Sequence, residues 1–363
     1  MKILAFTKYS YEGPSSRYRF YNYRACFKKH DIEMEIKPFF SKRYFQVSDK
    51  IIKLFVVLFS YLKRFISVCQ ILIFKKKYDL LLLEYELFPY FPAWFEYLLK
   101  KRGIKYIVDY DDAIFHKYDM HDNKIIQGLL KNKIGKVVEY ADTVIVCNGY
   151  LEAYAKKYNG DTFRLPTVVL LDRYKKEMEA FQKNKDDIFV IGWVGSRTTS
   201  VYILEILPAI EKFIVKYPHV RFDLVGFDRR LLSYEDAEQY HINIIDWAEE
   251  KEIEHILNFD VGIMPLHDDP WSRGKCGFKL VQYMSCKKPV VASPVGMNCT
   301  LVQNDKNGFL VETVHEWYDA FEKLYLDENL REVMAKHNYY HIETEYNHTM
   351  NCQKYVNLLQ ERV

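Results

Sequence analysis

Residues 259–284 read "FDVGIMPLHDDPWSRGKCGFKLVQYM", and the reading of this stretch decides the fold. FDVGIMPL (259–266) is a near-continuous apolar run of strand length, FKLVQYMSC (278–286) reads as a helix, and a polar loop lies between them. Strands without polar alternation are buried on both faces, as they are in a parallel sheet covered by helices. The same unit recurs in both directions. IFVIGWVG (188–195), VRFDLVGF (220–227) and INIIDW (242–247) come before it, and KPVVASPVG (288–296) after it. A second set starts at the N-terminus with KILAFT (2–7), EMEIKPF (33–39), YDLLLLEYE (78–86), KYIVDYDD (105–112) and TVIVCN (143–148). Longer helical stretches separate these runs. The expected fold is α/β: two Rossmann-like, doubly wound parallel-sheet domains, 1–171 and 188–340, facing across a cleft. A polar linker, DRYKKEMEAFQKNKDD (172–187), joins them. Ligands in such sheets sit beyond the carboxyl ends of the strands.

Bulk properties narrow the class. A chain of 363 residues exceeds what one core usually serves, and 49% apolar residues suffice for two. A net charge of +3 is too mild to argue for nucleic acid. Seven scattered cysteines, none in C-x-x-C spacing, read as reduced thiols in a cytosolic protein and not as a disulfide framework or zinc site. MKILAFTKYSYEG enters a strand directly, so no signal peptide is expected.

One segment raises the question of a membrane. Residues 51–79, "IIKLFVVLFSYLKRFISVCQILIFKKKYD", are long and apolar, but Lys63 and Arg64 at the centre cost several kcal/mol in a spanning helix. The segment suits coverage of a sheet face, which the strand just after it favours. The alternative is attachment to anionic lipid, for which Lys75, Lys76, Lys77 and KNKIGK (131–136) would supply charge.

Two loops carry the chemistry of the second domain. RGKCGFK (273–279) sits between a strand end and a helix start, where amides and lysines suit a phosphate or diphosphate. GWVGSRTTS (192–200) adds Gly195 for close backbone approach, the Ser196 hydroxyl and the Arg197 cation. No G-x-G-x-x-G follows the first strand of either domain, which argues against a dehydrogenase. In the first domain, YEGPSSRYR (11–19) offers Gly13 and Arg17, with Ser15 or Ser16 as a helix cap. DYDDAIFH (109–116) places Asp109, Asp111, Asp112 and His116 at another strand end. Like charges this close need hydrogen bonds or polar ligands, and DYD also satisfies the D-x-D pattern that holds divalent metals in another fold.

GIMPLHDDPWSRGKCGFKLVQYMSCKKPVVASPVGMN (262–298) resembles the donor-binding segment of bacterial family 4 retaining glycosyltransferases of the GT-B fold. Further matches are SSRYR (15–19), VDYDDAIF (108–115), GWVGS (192–196), NGFLV (307–311) and EW (316–317). The resemblance implies a nucleotide-sugar donor on the C-terminal domain, a glycan or lipid-linked acceptor on the N-terminal one, and no cofactor or metal. It also implies a final helix near 341–361 that returns to the first domain, and a cytoplasmic site of action. Gly274 and Gln282 stand where many relatives carry two glutamates, so the identity of the sugar does not carry over. Lys275, Lys279 and Arg197 are then the cations for the leaving diphosphate. Gly195, Ser196, Arg273, Gly274, Gly277, Phe278, Gln282 and Trp247 make up the donor side. Gly13, Ser15, Ser16, Arg17, Asp109, Asp111 and Asp112 fall to the acceptor or sugar side, with His116 as a hydrogen-bonding partner of the sugar. A nucleotide-sugar 2-epimerase and a silent partner subunit are the rival readings.

Overall fold

The computed structural model describes residues 1–74, 77–182 and 188–362. The chain forms two compact units. One comprises residues 1–167, 274–276 and 348–363; the other comprises 168–273 and 277–347.

The first unit is built on a parallel six-stranded sheet: β1 (Lys2–Tyr9), β2 (Glu33–Phe40), β3 (Leu80–Glu84), β4 (Tyr106–Tyr110), β5 (Thr143–Val146) and β6 (Thr162–Arg164), in the order β2-β1-β3-β4-β5-β6. The central strands are buried along their whole length, which is why LLLLE and YIVDY carry no alternation. The helix His348–Glu361 completes this unit, with Tyr355 packing edge-on against Tyr23 and Phe27, 5.1 Å from each ring.

The second unit repeats the plan with β7 (Phe189–Val194), β8 (Val220–Val225), β9 (Ile242–Ile245), β10 (Val261–Met264), β11 (Val290–Ala292) and β12 (Gly308–Leu310). Its order, β9-β8-β7-β10-β11-β12, is the dinucleotide-fold order, with the switch point between β7 and β10. Large rings lie flat on this sheet and dictate its glycines. A Cβ at Gly192 would stand 2.1 Å from the Phe259 ring, and one at Gly262 2.4 Å from that of Tyr283. Tyr283 also accepts from the Val194 N–H at 2.8 Å, which closes the gap where β7 and β10 part.

Four expectations are corrected. The presumed linker is helical over Leu171–Ala180, with Leu171 and Tyr174 buried; its residues 183–187 lie outside the described residues. The final segment is not one helix over 341–361. Helix Glu328–His341 runs into a π-helical turn, Ile342–Tyr346, before His348–Glu361 begins. Not all the cysteines are free: Cys26 and Cys352, 326 residues apart, form a disulfide, with His30 beside them. The long apolar helix, Lys50–Ile73, does not cover the sheet with its greasy residues. It turns Ser60, Arg64 and Ser67 inward along with Val68 and Ile71, while most of its large apolar side chains stay exposed.

Candidate active site

In the second unit the chain leaves β7 through Gly195. A Cβ there would stand 2.0 Å from the Trp193 ring, so no side chain fits. Gly226, after β8, holds φ +78, and a Cβ on it would lie 2.5 Å from the Gly195 carbonyl oxygen. These two close-packed turns line a cavity of about 510 Å³ together with Ser196, Arg197, Arg229 and Trp247. The Ser196 backbone N–H donates to Thr199 Oγ1 at 3.1 Å, which fixes the loop in a capping box.

Lys279 belongs to the helix Phe278–Ser285, which starts at Gly277 in the left-handed region, φ +67. Its Nζ donates to Thr199 Oγ1 at 3.4 Å and stands 4.7 Å from the centre of the Trp193 ring. The structure thus brings Lys279 to the loop that carries Ser196 and Arg197. It does not bring Arg273 there, because that guanidinium is held by both oxygens of Asp268, at 2.6 and 2.9 Å. Gly274 and Lys275 group with the first unit, where Asn148 Nδ2 donates to both of their carbonyl oxygens at 3.0 Å. Phe278 is half-buried against the core of the second unit.

Gln282 is almost fully buried, and its amide donates to Glu252 Oε2 at 2.7 Å. The other oxygen of Glu252 accepts from Trp247 Nε1 at 2.9 Å. A carboxylate therefore does stand beside the position where the sequence shows only an amide. Nothing in the sequence marks it, because Glu252 sits in a charged run, EEKEIEH (249–255), that reads as a solvated helix start.

The first unit centres instead on Glu84, at the end of β3 beside the β1 switch point. Its oxygens accept from Ser15 Oγ at 2.8 Å, Ser16 Oγ at 2.5 Å and the Lys8 N–H at 2.7 Å. Burial, with the nearby Asp111 charge, pushes Glu84 up to about 7. Ser15 and Ser16 are thus ligands of a buried carboxyl and not caps; the helix Pro14–Arg19 has no side-chain cap. Gly13 is required locally, since a Cβ there would stand 2.3 Å from that of Tyr9. Arg17 is buried between the rings of Tyr11 and Tyr18.

The aspartates are also committed inside the unit. Asp109 forms a buried bidentate pair with Arg19, 2.9 and 2.6 Å, so its assignment to the sugar side is corrected. Burial works against the Arg19 guanidinium, and Asp109 more than offsets it, holding Arg19 well above its ordinary value. Asp111 accepts from the hydroxyl of Tyr85, a residue held at φ +65. Asp112 keeps some exposure and is pushed up to about 7 by burial and by Asp111, with Lys275 and Lys8 opposing. His116 engages both ring nitrogens, Nδ1 with Asp119 and Nε2 with the Tyr150 hydroxyl, each at 2.8 Å.

Residues 185–327 match the family model described as "Glycosyl transferases group 1". No curated protein matches the chain. Among solved structures, sucrose-phosphate synthase from Thermosynechococcus elongatus aligns with a TM-score of 0.70 at 15% identity, over 99% of this chain and 98% of its own. Anabaena HepE in complex with UDP aligns at 0.68 and 15%, over 99% and 100%. A glycosyltransferase from Rickettsia africae aligns at 0.65 and 15%, over 99% and 98%. Two parallel six-stranded sheets, matched along nearly the whole of these chains, make the fold GT-B.

Proposed function

We propose that the protein transfers a sugar from a nucleoside diphosphate sugar to a glycan or lipid-linked glycan, with retention of configuration and without a metal. The setting would be the cytoplasmic side of bacterial surface polysaccharide or glycoconjugate synthesis. One observation carries the reading: Lys279 stands at the Ser196–Thr199 loop, beside a glycine-floored cavity that also holds Arg197 and Trp247. As the bond between the anomeric carbon and the diphosphate oxygen breaks, negative charge grows on the diphosphate. Lys279 and Arg197 stabilise that charge, with Lys275 as a further cation. The acceptor hydroxyl forms the new bond to the anomeric carbon and passes its proton to a departing diphosphate oxygen. HepE has been crystallised with UDP and with UDP-glucose, which makes uridine diphosphate the first nucleotide to try.

A thermal-shift series of nucleoside diphosphates tests this reading. A nucleotide at a hundred times its dissociation constant adds about 2.7 kcal/mol, and no shift with any of them would sink the proposal. Product analysis with the bound nucleotide sugar separates the rivals. Free sugar or transfer supports the proposal, interconversion supports the epimerase, and binding without turnover supports the silent subunit. EDTA is expected to leave activity intact. Loss restored by Mn²⁺ would revive a metal at Asp109 and Asp111, which Arg19 and Tyr85 occupy here.

A further inference from the structure

The helix Lys50–Ile73 is built inside out. Its inward face carries Ser60, Arg64 and Ser67. Arg64 Nη2 donates to the carbonyls of Thr7 (2.8 Å) and Lys37 (3.0 Å), and its guanidinium lies 4.4 Å from the Phe6 ring. The two serines return their hydroxyls to the helix's own carbonyls, Val56 and Lys63. The outward face is a stripe at helical spacing: Ile51, Phe55, Leu58, Phe59, Leu62 and Ile66, with Phe55 and Phe59 each 66% exposed. The stripe continues onto the neighbouring helix Trp94–Lys101, where Phe65 meets Phe95 edge-on at 5.8 Å and Trp94 is 62% exposed. The helix is long and apolar enough to cross a bilayer. Its bonds to β1 and β2 through Arg64, however, fix it flat on the first unit.

We propose that this face lies in the surface of an anionic bilayer, with the stripe among the upper acyl chains and Trp94 at the interface. Charge identifies the occupant. Between Asp49 and Asp79 the sequence has no acidic residue, and Lys50, Lys63 and Lys77 in that stretch are exposed. An anionic leaflet attracts each of these cations, whereas a second copy of the same face would oppose them with its own. The inference does not depend on glycosyl transfer.

The test is cosedimentation of the full chain with phosphatidylcholine vesicles, with and without phosphatidylglycerol. Binding is expected only with the anionic lipid, weakening as salt rises. The triple change Phe55→Glu, Phe59→Glu, Leu62→Glu is expected to cut the bound fraction about tenfold or more with the thermal melt unchanged. Should the triple variant fail to fold, brominated lipid gives a second readout. With bromines placed high on the acyl chains it quenches the wild type more than Trp94→Phe, because Trp94 at the interface lies within their reach. Failure of the wild type to bind, binding untouched by the triple change, or equal quenching in both proteins would each overturn the proposal. So would a concentration-dependent dimer that the triple change dissolves, since the face would then belong to a second copy.

Discussion

Both sheets end in loops crowded with charge, yet the two edges use charge in opposite ways. In the first unit Asp109, Asp111 and Glu84 are each satisfied from within, by Arg19, Tyr85 and the pair Ser15–Ser16. In the second unit Arg197 lies exposed at a cavity lined by two glycines, and Lys279 donates to a threonine hydroxyl of the same loop. Buried polar groups are matched to partners within the first unit, whereas an exposed cation at an open cavity is accessible to a ligand. A residue's type does not separate these roles; its partner does.

The largest effect that would break this contrast is on stability. Arg19→Met leaves Asp109 buried and unpaired and is expected to cost about 3–5 kcal/mol in urea unfolding. Arg197→Ala should stay within about 0.5 kcal/mol. Similar values for the two would erase the distinction between the edges.

The pH dependence of the first unit comes next. Glu84 has a folded value of about 7 against an ordinary 4.5, so the folded state binds its proton more tightly. The stability it contributes is full below pH 4.5 and is lost as pH rises to 7. The difference is about 3 kcal/mol, which Glu84→Gln should remove from the stability–pH curve. A curve unchanged by Glu84→Gln would mean that the carboxyl is not the titrating group. Asp112 titrates in the same direction, so part of the slope is expected to remain after Glu84→Gln.

On the second edge the effects are kinetic. Lys279→Ala is expected to lower kcat roughly 10²-fold with little change in nucleotide affinity, as loss of one preorganised charge contact does. Lys275→Ala is expected to do the same. Wild-type turnover in either variant would remove that residue from the mechanism. The smallest effect belongs to Gln282→Ala, expected to weaken nucleotide binding about tenfold at unchanged kcat, because it supports the cavity residue Trp247 through Glu252 and such support acts alike in ground and transition states. Glu252→Gln should follow it, since both side chains share one hydrogen-bonded unit with Trp247.

The strands were legible because burial on both faces leaves an apolar run that nothing else explains. β6 and β12 were missed as strands, since three residues at a sheet edge are too few to show a period. The loop containing Ser196 and Arg197 was legible from its place after a strand, and Lys279 from its place in a helix's first turn. Glu84 and Glu252 were not, because what marks them is the company of residues 68 and 30 positions away. The long helix misled for a related reason. Its sequence gives the stripe's period but not the direction in which the stripe points, and Arg64 settles that only through carbonyls on two strands.

The helix His348–Glu361 has a consequence for how the molecule is made. It belongs to the first unit, yet the ribosome delivers it only after all of the second. Until then Tyr23 and Phe27 lack the Tyr355 ring that covers them, and Cys26 lacks its partner. The N-terminal sheet therefore waits, with an aromatic surface uncovered, through the synthesis and folding of its neighbour. During that interval the nascent chain is most exposed to wrong partners.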